Sequence, residues 1–208
     1  MTAFMKKIIK HTPLILNIAI IVFGTIGCSM NVKYGLSILR YYTVLSNILG
    51  VAVSTLYLAF YIAKKGKVPL SVTFMKYAST VCLTLTFLVV TFVFVPMSGS
   101  FKVLLEGVNF YQHFLCPLLS LISFMFFEQS EALTKKHVFL SLIPTFTYAA
   151  VIIILNILRV VRGPYPFLMV YEQSVPVSVM WFFVINGMAL ATAALLRFIT
   201  QLKGGEKR

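Results

Sequence analysis

The sequence predicts an all-α integral membrane protein of six transmembrane helices, one domain over residues 1–208 with both termini cytoplasmic. Three observations carry this. The chain is 60% hydrophobic and only 11% charged, with a mean hydropathy of +0.95, the balance of a protein solvated by lipid. Its apolar residues gather into runs of the ~20 residues that a helix needs to cross a hydrocarbon core. Short basic stretches separate those runs, so the net charge of +13 marks loop sidedness and not a nucleic-acid surface.

The first run, 13–30, follows MKKIIK and ends in TIGC. It has the outline of a secretory or lipoprotein signal, but it exceeds the ~7–15 residues of a signal core and carries Thr25 where leucine is usual, so it reads as a retained span. The second, 42–63, opens on YTVLSN and stops before KKGK. The third, 76–95, starts at KYASTVCL, and the fourth, 109–127, is NFYQHFLCPLLSLISFMFF, with a histidine and a proline inside it. The fifth, 138–158, follows Lys135 and Lys136. The sixth, 177–199, follows the loop RVVRGPYPFLMVYEQSVP. The connections are too short to hold a second domain.

Lysine and arginine set the orientation, because cytoplasmic loops carry their excess. Lys6, Lys7, Lys10, the KKGK loop with Lys76, Lys135, Lys136, Arg197, Lys203, Lys207 and Arg208 fall on one side. Lys33, Arg40, Lys102, Arg159 and Arg162 fall on the other. The poorer side is outside, and there the second and fourth helices begin.

Several function classes drop out. Cys28, Cys82 and Cys116 sit in apolar runs with no CxxC or Cys/His spacing, so neither a metal nor a metal-dependent cofactor is expected. There is no aspartate, and Glu106, Glu128, Glu131, Glu172 and Glu206 all lie outside the predicted spans. That weighs against intramembrane carboxylate relays and ion-coupled pumps.

What remains is a polar constellation at the outer ends of two helices. An ionisable side chain within a membrane helix is costly and marks a site until a partner is found; His113 is such a residue. Asn109, His113 and Cys116 share one helical face, and Pro117 frees the His113 carbonyl. On the second helix Arg40, Thr43 and Asn47 recur at i, i+3 and i+7, placing a cation, a hydroxyl and an amide on one stripe. A threonine in such a helix commonly bonds the carbonyl four residues back, here Leu39. It becomes a nucleophile only beside a base, and Thr43 with His113 is the one hydroxyl–base pair on this leaflet. In acyl transfer His113 would take the Thr43 proton and return it to the leaving alcohol. Asn47, Gln112 or Tyr42 would donate to the oxyanion, and Glu172 is the nearby carboxylate to orient the imidazole. The 159–176 loop, with Arg159, Arg162, Tyr165 and Tyr171, would roof the site.

YTVLSN at the head of the second helix, a histidine at the outer start of the fourth, and six spans with inside termini resemble the androgen-induced and androgen-dependent TFPI-regulating proteins. The layout covers nearly the whole chain; the motifs are two short patches. The resemblance implies a bacterial branch of multi-pass threonine hydrolases in the cell membrane, Thr43 as nucleophile and His113 as base. It also implies hydrolysis of fatty acid esters of hydroxy fatty acids within the bilayer, without metal or organic cofactor. Arg40 would then hold the free carboxylate of such a lipid. The alternatives are a small transporter, a lipid-binding protein without turnover, and Cys116 as nucleophile in place of Thr43.

Overall fold

In the computed structural model residues 3–128 and 132–205 are described, and every regular element among them is helical. Lys6, Lys7, Lys10, Glu131, Lys203, Glu206, Lys207 and Arg208 lie outside the residues whose side chains are described. A run of apolar residues offers its backbone no side-chain partners, and a helix satisfies those groups within the segment. The helices are α1 (Ala3–Ser29), α2 (Tyr42–Ala63), α3 (Leu70–Ser98), α4 (Phe110–Phe127), α5 (Lys135–Ile157) and α6 (Val175–Gly205). Each carries a stretch long and apolar enough to cross a membrane.

Their ends are set locally. Gly66 (φ +92°) and Gly99 (φ +65°) take the left-handed conformation that stops α2 and α3. The Gly66 N–H returns to the Tyr61 carbonyl at 2.7 Å and that of Gly99 to Val95 at 2.9 Å. At the start of α5, Thr134 and His137 form a capping box. Two helices widen to π turns: Val90–Phe94 in α3 and Phe110–Leu115 in α4. Pro96 and Pro117 follow them. A proline offers no N–H and crowds the carbonyl four residues back, and a π turn absorbs both effects.

Helices α1 to α4 close a ring in which each packs on the next and α4 returns to α1, while α6 covers a further face of α3. Close approach in the ring depends on small residues. A methyl group at Gly24 would stand 2.5 Å from the Val51 side chain, and one at Gly50 2.8 Å from Leu83. Beyond its first turns α5 packs mainly on the Pro166–Leu168 turn.

The interior has two characters. Between α3, α4, α5 and α6 it is apolar, built on Tyr77, Val81, Leu85, Phe124, Ala193 and Leu196. Along the axis of the α1–α4 ring it is polar, with Asn17, Asn47, Ser54, Lys76, Thr80 and Ser120 all buried.

The polar axis overturns one expectation. Helix α3 starts at Leu70, before the predicted 76, and Lys76, assigned above to a loop, is fully buried. Its ammonium donates to Asn17 Oδ1 at 2.9 Å and Ser54 Oγ at 2.7 Å, and lies 3.8 Å from Glu128 Oε2. Glu128 lies just outside the fourth span, as expected, but is buried at 3% exposed and accepts from the Asn17 amide and from Ser123 Oγ. A buried cation is tolerated when a carboxylate and further hydrogen bonds compensate its lost hydration. Here they come from α1, α2 and the residue that follows α4, so no local window of sequence contains the pair.

Candidate functional site

At the end of the ring that bears Arg40, the first turns of α2 and α4 and the loop 164–166 enclose a cavity of about 440 Å³. Asn31, Arg40, Thr43, Gln112, His113 and Tyr165 line it. Thr43 and His113, far apart in sequence, thus face one space.

Thr43 is the second residue of α2, because Tyr41 is extended and interrupts the predicted Arg40–Thr43–Asn47 stripe. A residue in the first helical turn has a backbone N–H without an intrahelical acceptor. That of Thr43 donates to the Tyr165 hydroxyl at 3.3 Å, and Thr43 Oγ1 lies 3.5 Å from the same oxygen. The hydroxyl therefore meets Tyr165 and not the Leu39 carbonyl expected of a threonine inside a helix. The positive end of the α2 dipole also favours negative charge at this position.

His113 sits on the π turn of α4, and its Nδ1 lies 2.6 Å from the Val103 carbonyl oxygen. A carbonyl only accepts, so Nδ1 carries the proton and Nε2 of the neutral ring is left as an acceptor. The imidazole is oriented by this backbone oxygen. Glu172, expected in that role, instead takes Arg162 in a two-pronged ion pair, Nε to Oε1 at 2.7 Å and Nη2 to Oε2 at 2.8 Å. The geometry of that pair is the better match for a carboxylate on an exposed loop. Neither residue lines the cavity, nor does Arg159, whose guanidinium lies 4.7 Å from the Tyr171 ring centre.

The other expected residues divide. Arg40 lines the cavity and donates to the Tyr41 hydroxyl at 3.1 Å. Gln112 lines it too, with Oε1 accepting from Asn31 at 3.1 Å. Asn47 does not line the cavity: its amide donates to the carbonyls of Thr43 at 2.8 Å and Gln112 at 3.1 Å, which ties α2 to α4. Tyr42 is turned away, its hydroxyl 2.7 Å from Thr145 Oγ1. Cys116 is 1% exposed, faces Gly24 of α1 and does not line the cavity. Its burial behind the π turn removes the alternative nucleophile from the shared space.

The reading of the loop tyrosines as roof did not place Tyr165 against Thr43. The phenol is buried, and burial holds it above its ordinary range, so it keeps its proton. Having accepted the Thr43 N–H, it has that proton to give to an oxygen bound beside Thr43. Among the described residues no group of three or more His, Cys, Asp or Glu is placed to hold a metal. No protein-family model, curated protein or solved structure matches the chain.

Proposed function

We propose that the chain is a membrane-embedded lipid ester hydrolase with Thr43 as nucleophile and His113 as general base, its termini cytoplasmic and this cavity at the outer leaflet. The observation that carries the reading is the meeting of Thr43 and His113 on one cavity, with Nε2 of the imidazole left free to accept.

Thr43 Oγ1 attacks the ester carbonyl as its proton passes to Nε2 of His113, and the carbonyl π pair moves onto oxygen. Tyr165 O–H and the N-terminus of α2 are the groups that stabilise the oxyanion. The C–O bond to the alcohol then breaks, the alcohol takes the proton from His113, and an acyl-Thr43 remains. Water, deprotonated by His113, attacks that ester and releases the carboxylic acid and the Thr43 hydroxyl. One ester and one water give one acid and one alcohol, and the chain is unchanged.

Arg40, on the same cavity wall, suits a lipid ester with a free carboxylate. Arg40→Ala is expected to lower kcat/KM for a carboxylate-bearing ester roughly tenfold relative to its methyl ester, the effect of one exposed charge-assisted contact; an unchanged preference would remove Arg40 from this role.

The test of the activity is intact mass after a fluorophosphonate probe. One adduct is expected in the wild type and in Cys116→Ser and none in Thr43→Ala or His113→Ala. A folded wild type that forms no adduct would overturn the hydrolase reading in favour of lipid binding without turnover.

A further inference from the structure

His113 does not line the second cavity that Thr43 touches. This space, about 100 Å³, lies between α2, α3, α5 and α6 under the 165–170 loop, and Thr43, Phe94 and Tyr165 line both cavities. Thr43 therefore stands in the partition between a polar space and an apolar one.

The apolar character of the second space arises because its polar groups are engaged elsewhere. Tyr42 and Thr145 bond each other at 2.7 Å, and Thr86 Oγ1 lies 3.1 Å from Ser46 Oγ. The Tyr148 hydroxyl donates to the Arg40 carbonyl at 2.7 Å and the Asn186 amide to that of Phe182 at 2.7 Å. Hydrocarbon and ring are left facing the space, from residues such as Leu85, Val89, Ile153, Trp181 and Ile185. A polar ligand would lose its hydration there without recovering hydrogen bonds.

Shape narrows the occupant further. The lining runs from Thr145 to Ile153 on α5 and from Ser178 to Asn186 on α6, a depth of ~12 Å at 1.5 Å per residue. The volume is small for that depth, so the space is a slot. On the outer surface the gap between α5 and α6 is crossed by Phe146 and Phe182, ring centroids 6.5 Å apart, 42% and 49% exposed.

We infer that this slot is an acyl-chain site: it takes one unbranched hydrocarbon chain, entering from the bilayer between α5 and α6, and presents its carbonyl end to Thr43. The alcohol part of the ester, with its polar group, lies in the His113 cavity. The role of Thr43 here rests on the hydrolase reading; the identity of the occupant rests on the slot.

The test uses the full chain in nanodiscs with p-nitrophenyl butyrate and p-nitrophenyl hexadecanoate. Ile185→Trp and Ala149→Phe, which fill the slot from α6 and α5, are expected to lower the ratio of kcat/KM for hexadecanoate over butyrate at least tenfold. Leu190→Phe, on the exposed face of α6, leaves that ratio unchanged. In parallel a diazirine-bearing hexadecanoic acid is photocrosslinked to the wild type and mapped by peptide mass. Adducts on slot residues that disappear in Ile185→Trp support the site even if no ester is turned over, which would sink the hydrolase reading alone. An unchanged ratio in both filled variants, or adducts spread evenly over the exposed helix faces, overturns the acyl site even if hydrolysis depends on Thr43.

Discussion

The two polar clusters of this bundle are opposite in kind. The Lys76–Glu128 cluster is sealed: both charges are buried, Asn17 and Ser54 accept from the ammonium, Asn17 and Ser123 donate to Glu128 Oε1, and Glu128 Oε2 faces only the ammonium at 3.8 Å. The Thr43–His113 cluster opens on a cavity, and its polar atoms reach the protein only in part, through Tyr165 and the Val103 carbonyl. The sealed cluster directs its hydrogen bonds inward and holds helices. The open cluster sets a histidine and a threonine on the wall of a space where another molecule fits. Burial alone would rank Lys76 and Glu128 as the stronger site candidates; what marks the other end is accessible volume beside its polar residues.

Three measurements separate the sealed end from the open one. The largest effect is expected at the sealed end. Removing one charge leaves its partner buried and alone, so Lys76→Met or Glu128→Leu should each lower unfolding free energy in detergent by about 3–5 kcal/mol. The double variant should recover most of that loss, because an apolar pair replaces an ion pair at little cost. Strict additivity of the two single losses would mean the pair is not coupled.

The next effect belongs to the open end. Tyr165→Phe should reduce kcat for ester hydrolysis ~10²-fold with little change in KM, as loss of an oxyanion donor does, while shifting the unfolding midpoint little. A change confined to KM would reassign Tyr165 to binding.

The smallest is a pH effect on the loop. Arg162, through its hydrogen bonds, holds the Glu172 carboxyl below its ordinary value of 4.5. The contribution of the pair is therefore present above the ordinary carboxylate range and is lost as pH falls through the lowered folded-state value. Both groups are exposed, so salt screens the effect. Proteolysis of the 159–174 loop should be slower in the wild type than in Glu172→Gln near pH 7, and the difference should close under acid or in high salt. A difference that persists in acid would point to a cause other than the charge.

Much of this was legible in the sequence because hydropathy is summed over about 20 residues and tolerates local error: all six long apolar helices fall where the runs predict them. Lys76 was misread because a cation in an apolar run looks the same as a loop cation until its carboxylate is found, and Glu128 approaches only through packing of α3 on α4. Thr43 and His113 were legible as a pair because charge bias placed both at one end. The partner of His113 was not, since a backbone carbonyl has no sequence signature. Glu172 was assigned to His113 by elimination, while Arg162, ten residues away, was the nearer claimant.

The π turn before Pro117 has a consequence for helical phase. A π turn adds one residue to a helical path, so the part of α4 above it is rotated by about 100° from where an unbroken α-helix would put it. Cys116, Ser120 and Ser123 face the interior of the ring in one phase, and His113 faces the cavity in another. Deleting a single residue between 110 and 115 would let the helix run regularly and carry the histidine around the axis, away from Thr43, with the lower half of the helix undisturbed. One residue of chain length thus separates a bundle that only packs from one that sets an imidazole and a hydroxyl on the same cavity.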